Sequence, residues 1–285
     1  MTQVDAWTGL GLLAPADLKD AALQLHWAVQ YLAAAGQTFS EPQPDDSHRT
    51  ATWNAERREF VSAQFAGPYP FRVALRPADL TLQLLDRTTE PLGTFSLAGK
   101  PREEGFEWLQ QGLSNYMGRL PVIDRPAYDM PAHPVGTGAP FSHGLDVGLG
   151  VLSAMYESAA EILTLVNDGD ESASTVRCWP HHFDIATLLT VESNAAGEAT
   201  KTVGVGMAPM RGGYDGWYWY VSPWPSPKPE ALPPLEGPGG WHTEEWVGAV
   251  LTGDALVAMD PSFREPAVRK FVDVSVAASR SALGA

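Results

Sequence analysis

The sequence predicts an α+β fold, a mainly antiparallel sheet with flanking helices. Three observations predict it. Apolar residues recur at helical spacing in four separated stretches, short strand-like runs lie between them, and glycine, proline or Asx clusters punctuate the joins. The first helix is expected from Pro15 to Ala35. Pro15 suits a first turn, Asp17 the positive helix end and Gly36 the stop, while Leu18, Ala22, Leu25, Val29 and Leu32 make its stripe. His26 lies one position off that stripe. Residues 37–50 form a polar, proline-containing loop. Strand-like pieces follow at 58–65 and 71–75, and Leu80, Leu82 and Leu84 alternate with Thr81 and Gln83 like a half-buried strand. A second helix begins at Pro101, with Phe106, Leu109 and Leu113 on its stripe, and stops near Gly118.

Residues 119–146 read as a long connection holding five prolines, Pro121, Pro126, Pro131, Pro134 and Pro140. Ile123, Tyr128 and Phe141 make it too apolar for a plain flexible linker, so it either joins two halves or wraps one surface. Helical spacing resumes over 149–166 and ends in the Asn167-Asp-Gly-Asp turn. Strands are expected at 175–179, 183–191, 202–207 and 217–221. The proline- and glycine-rich stretch 222–240 is irregular, and Trp241 to Leu251 returns to the sheet. A short helix is begun by Thr252 or Asp254, and a last one covers 265–282 from Pro266. We expect one compact α+β domain over 1–285, with pseudo-repeats 15–118 and 149–283 joined by 119–148. Laying Phe71–Leu80 over Val176–Ile185 matches Arg72 to Arg177 and Asp79 to Asp184.

Composition narrows the partners. Lys plus Arg number 19 against 34 Asp plus Glu, a formal charge of −15 with no offsetting basic run, which argues against a phosphate-tracking nucleic-acid surface. Cys178 is the single cysteine, so no internal disulfide can form, which is compatible with a reducing cytoplasm. The segment Met1–Trp7 lacks the basic and apolar regions of a signal peptide, and no apolar run is expected to span a bilayer. A soluble, cytoplasmic protein without membrane association, acting on a small-molecule ligand, is the expectation.

Two dense stretches carry the chemistry. Arg177-Cys-Trp-Pro-His-His-Phe-Asp184 joins the cysteine, two histidines and a carboxylate, and Tyr214–Trp224 packs six aromatics into eleven residues. In an extended strand His181 and His182 face opposite ways, while His182 and Asp184 share a face. Asp184 then fixes the tautomer of His182 and raises its basicity, as in a general base or a metal-ligand nucleus. The alternative is that Pro180 ends a strand and these groups satisfy turn backbone. Asp45-Asp46-Ser47-His48 is a second polar cluster; its residues either complete an oxygen and nitrogen metal shell or cap their own loop. Taken together, His182, Asp184, His48 and Asp46 are the candidate ligands of a divalent transition metal, and His182, Asp184 and His48 the candidate catalytic set. Trp217, Trp219, Tyr220, Trp224, His242 and His181 are the candidate substrate contacts, the aromatics stacking on a ring or on the apolar face of a sugar. Packing within a large sheet is the other reading of these aromatics. His133 and His143 are weaker candidates, and Cys178 reads as a small buried hydrophobe. The glycines at 204, 206, 212, 213 and 216 do not form a dinucleotide fingerprint.

The chain resembles a bacterial protein family through Trp179-Pro180-His181-His182-Phe183-Asp184, Pro44-Asp45-Asp46-Ser47-His48 and Tyr218–Trp224. The likeness extends over most of the chain, including the helix at 149–166. Where the family pattern has an acidic residue more often, this chain has His181, which favours His182 as the shared position. The resemblance implies that the motifs belong together and implies no reaction, cofactor or substrate. The leading expectation is a small-molecule-processing enzyme, a metal-assisted or histidine general-base hydrolase. Its rival is a noncatalytic small-molecule or protein-binding domain.

Overall fold

A computed structural model describes residues 6–210 and 212–284; residues 1–5, part of the stretch read for a leader, lie outside the described residues. The protein is α+β with antiparallel strand pairing, and eleven strands occur among the described residues. Its contacts gather into two compact units. The first holds residues 20–153 and 177–183, and the second holds the rest of the described residues.

The first unit is organised around helix α2 (Lys19–Phe39), the last turn of whose lead-in is a 3-10 helix, Pro15–Leu18. Leu25, Ala28, Val29 and Leu32 are fully buried, and so is the run Ala33–Ala35, so this is a core helix rather than one with a single apolar stripe. Gly36 does not stop it. A Cβ there would lie 2.2 Å from the backbone oxygen of His48, so the glycine admits a close backbone approach and the helix runs on to Phe39. Strands β1 (Ala51–Asn54), β2 (Glu59–Ser62), β3 (Phe71–Arg76), β4 (Thr81–Asp86), β5 (Pro91–Ser96) and β6 (Arg177–Trp179) pair in the order β6-β1-β2-β3-β4-β5. Neither β1 nor β5 was expected. The Leu80–Leu85 alternation was expected to mark a half-buried strand, but β4 is buried on both faces. Its second face is polar and still covered, because Gln83 donates to the buried carboxylate of Glu59.

Helix α3 (Arg102–Met117) lays Phe106, Leu109 and Leu113 inward and packs on β4 and β5. It ends as expected at Gly118, whose φ of 67° only glycine adopts freely. The connection 119–146 wraps a surface. Trp27 Nε1 donates to the Pro131 oxygen, the Asp124 N–H donates to Thr38, and Gln24 exchanges hydrogen bonds with Ser142. Those bonds tie the connection to α2 at points from Gln24 to Thr38.

In the second unit, β7 (Asp184–Ser193), β8 (Ala199–Ala208), β9 (Tyr218–Trp224), β10 (Gly240–His242) and β11 (Gly248–Thr252) pair in the order β10-β11-β9-β8-β7. Helix α5 (Gly253–Val257) is capped by Thr252, as expected. Helix α6 (Pro261–Ala282) starts earlier than expected, because the Asp260 side chain accepts from Ser262 N and Pro261 fills the first position; Pro266 lies inside the helix. α6 covers β8, β9 and β11 with Val268, Phe271 and Val272. The short helix α1 (Ala6–Gly9) packs on α6.

Helix α4 (Asp146–Gly169) corrects one expectation. By length and composition it is apolar enough to cross a membrane, yet 61% of its most apolar window is buried inside the protein. A core helix has the same properties, so this is weak evidence for a membrane.

Candidate functional site: a cavity on helix α2 beside the histidine turn

The two histidines are not in a strand. β6 ends at Trp179, Pro180 offers no N–H to continue the pairing, and β7 begins only at Asp184. Between them the His182 and Phe183 N–H groups both donate to the Trp179 oxygen, at 3.1 and 2.6 Å, and Phe183 takes a φ of 59°. The same-face spacing of His182 and Asp184 therefore fails, since it required extended backbone through Phe183.

The turn docks on α2. Gln30 Nε2 donates to the Pro180 oxygen at 2.8 Å, and His26 Nε2 lies 2.8 Å from the same oxygen. The His26 ring stacks on Phe183, with centroids 5.1 Å apart. His181 meets Tyr128 edge-on at 5.9 Å, touches Trp179 in the same manner, and lies 3.8 Å from the His182 ring. His26, off the expected stripe, is therefore a buried contact of the motif.

Immediately beside this turn is a cavity of about 330 Å³, lined by Trp27, Gln30, Arg102, Phe106, Arg125, Pro126, Tyr128, Asp129 and Met130. Its elements are α2, the first turns of α3 and the wrapped connection. Gly136 makes room for one wall, because a Cβ there would come within 2.5 Å of the Trp27 ring. Two guanidiniums lie over aromatic faces: Arg102 is 4.4 Å from the Trp27 centroid, and Arg125 is 4.2 Å from that of Phe106. Tyr128 donates to Gln30 Oε1, and burial pushes its hydroxyl above the ordinary tyrosine range, so it remains a donor at neutral pH. Gln30 thus bridges the cavity wall to the histidine turn. Sequence reading missed this site. Trp27 and Gln30 lie off the apolar stripe read for the first helix, and Arg102, Arg125 and Tyr128 fall in a helix start and a connection.

The other candidates are dispersed. Asp46 has a left-handed backbone and pairs with Arg49 at 3.2 Å, while Asp45 accepts from Ser47 N in an Asx turn. His48 is buried. Its Nδ1 is 3.1 Å from Gln43 N and its Nε2 3.2 Å from Arg49 Nε. A neutral imidazole accepts at only one nitrogen, so these two bonds are alternatives. Burial, then Arg49, push its pKa down, so the ring stays neutral in the loop it staples. His133 bridges Val135 N and Asp20, and His143 packs its ring over Gly99. Cys178 is buried in β6 opposite Ala51. Among the described residues, no group of three or more His, Cys, Asp or Glu side chains is placed to hold a metal ion.

In the second unit Trp217 and Trp219 are core residues, each only 1% exposed, whereas Trp224 is 57% exposed. The opposite face of β9 carries an aromatic cluster in which Tyr218 meets Tyr214, Tyr220 and Trp246. His242 stacks on Trp246, its Nδ1 3.0 Å from the Tyr214 hydroxyl. Beside it, Tyr220 donates to Asp184 Oδ2 at 2.5 Å, and Asp184 Oδ1 is buried without a partner. Burial raises the Asp184 carboxyl to about 6, with the Tyr220 bond pulling the other way. Gly206 leaves space for that tyrosine, because a Cβ there would be 2.6 Å from its hydroxyl and 2.8 Å from the Ile185 oxygen. Gly206→Ala is expected to cost about 1–3 kcal/mol by overpacking and to weaken the Tyr220–Asp184 bond. Urea unfolding of that variant checks the cost; unchanged stability would show that the strand yields freely. No family model, curated protein or solved structure matches this chain.

Proposed function

We propose that this protein is a noncatalytic small-molecule-binding domain whose ligand lies in the cavity between α2, α3 and the wrapped connection. One observation carries the reading: a cavity of ligand size, about 330 Å³, has an aromatic wall of Trp27, Phe106 and Tyr128 and a small number of polar residues on its lining. Its walls are tied by hydrogen bonds from Trp27 to Pro131 and from Tyr128 to Gln30, so the pocket is held open before a ligand arrives. Through Gln30, the same contacts reach the Trp-Pro-His-His-Phe turn, which gives that motif a role in shaping a pocket rather than in proton transfer.

A fragment screen by protein-observed NMR tests this. The Trp27 indole signal, identified by its loss in Trp27→Phe, is expected to shift with planar fragments, and Trp27→Ala to weaken their binding at least tenfold, about 1.4 kcal/mol. Mass spectrometry is expected to recover the fragments unchanged. A fragment set that leaves the Trp27 signal in place would overturn the cavity as a ligand site, and cleaved products would overturn the noncatalytic reading.

A further inference from the structure

We infer that the cavity recognises a planar, apolar carboxylate and that Arg102 is its charge partner, an inference that rests on the cavity being a ligand site. Three charged residues line it, and they are not equivalent. Arg125 and Asp129 are exposed, whereas Arg102 is half-buried next to the buried Phe106 and Gln30. The Arg125 fork is already committed, its two terminal nitrogens 2.8 and 2.6 Å from the Glu103 carboxylate oxygens. Glu103 therefore neutralises the outer guanidinium without lining the cavity.

Arg102 has no such partner. Among the described residues no carboxylate stands within ion-pair distance of it, and its Nε is buried with no acceptor. The backbone of the same residue is held by Tyr31, whose hydroxyl donates to the Arg102 oxygen at 2.8 Å. The guanidinium lies over Trp27 at 4.4 Å, with the Phe106 centroid 5.8 Å away. An arginine keeps its charge in proteins, and the terminal nitrogens of Arg102, which no protein group accepts from among the described residues, are the donors a ligand can meet. A planar fork above an aromatic face suits a carboxylate, which it can bind through two parallel bonds. A guanidinium that no carboxylate pairs at close range suits a ligand with one negative charge. The Asp129 carboxylate on the lining opposes a second, which disfavours a phosphate dianion. Trp27, Phe106, Pro126 and Met130 supply the apolar surface for the ligand body.

Calorimetric titration with 2-naphthoate and its neutral isostere 2-naphthamide tests the inference. The folded wild type is expected to bind the carboxylate at least tenfold more tightly than the amide. Arg102→Gln is expected to abolish that preference while leaving amide affinity within about threefold, whereas Arg102→Lys keeps part of it and Arg125→Gln keeps most. Thermal unfolding checks that the variants are folded, and Arg102→Lys serves if the glutamine variant is not. Equal affinity for the two probes, both lost in Trp27→Ala, would overturn the carboxylate while leaving the ligand site standing. A preference that survives Arg102→Gln would overturn the role of Arg102. Failure of both probes to bind, when other fragments do occupy the cavity, overturns the carboxylate alone; failure of every compound overturns the site as well.

Discussion

Asp184→Asn is expected to remove a component of about 3 kcal/mol from the loss of stability that the wild type suffers between pH 4 and pH 7. The Asp184 side chain is 8% exposed, Oδ1 has no partner, and burial raises its carboxyl from the ordinary 3.8 to about 6. The sign follows from which state holds the proton. Below pH 4 both folded and unfolded chains carry it, so the carboxyl takes nothing from stability. Between pH 4 and 6 the unfolded chain has released the proton and the folded one has not, so raising the pH favours unfolding. Above pH 6 the folded protein holds a buried carboxylate, and the accumulated loss is roughly 1.4 kcal/mol for each of about two pKa units. Asparagine can still accept from Tyr220 and has no charge to bury. Urea unfolding at pH 4 and pH 7 should show the wild type falling relative to Asp184→Asn. Parallel behaviour of the two would mean that Asp184 is solvated and its proton ordinary. Tyr220→Phe removes the larger of the two hydrogen bonds that steady the carboxylate, the other coming from its own backbone N–H, so its loss should extend to higher pH than in the wild type.

The helices were legible because each has a physical signature written locally. Gly118 stops α3 with a left-handed φ, Thr252 caps α5, and the stripe of α3 faces the sheet, all from spacing and end chemistry. The failures share a cause. Gly36 is a helix stop by local chemistry, but the approach of the His48 backbone, distant in sequence until the loop closes, decides its use. Pro266 looks like a first residue, but Asp260 and Pro261 provide a better start one turn earlier. β5 is an edge strand with an exposed pattern, so no buried alternation marks it.

The candidate site was legible only as a neighbourhood. The Trp179–Phe183 motif does stand beside a cavity, yet the argument that chose His182 and Asp184 assumed a strand, and one positive φ at Phe183 breaks it. The aromatic segment divided as alternation requires, with Trp217 and Trp219 inward and Tyr218 and Tyr220 on the other face of β9. Which face lines a pocket is a tertiary fact. The residues of the cavity come from a helix, a helix start and a proline-rich connection, more than a hundred positions apart at the extremes from Trp27 to Met130, and no spacing rule joins them.

The other large effect is expected at Arg264, where methionine should cost about 2–4 kcal/mol. This guanidinium is buried, 4% exposed, and is held by carbonyl oxygens: Nη1 donates to Trp7 at 2.8 Å, with Thr8 at 3.5 Å, and Nη2 donates to Val257 at 3.3 Å. It ties α1 and the end of α5 to α6, and Gly11 leaves space for it, since a Cβ there would lie 2.6 Å from Nη2. Two effects oppose each other in Arg264→Met. Removing a buried charge recovers its desolvation cost, but the main-chain oxygens lose their donors and the fork has no substitute in a thioether. Carbonyls of a helix end need those donors, so the second effect is expected to win. Arg264→Lys supplies one compact charge in place of the fork and should recover less than half of the loss. Urea unfolding gives the magnitude, and limited proteolysis gives the location, with cleavage expected first beside α1. If Arg264→Met were as stable as the wild type and no faster cut there, the guanidinium would be a passenger in α6 and α1 would be held by its other contacts, the Trp7–Glu161 hydrogen bond among them.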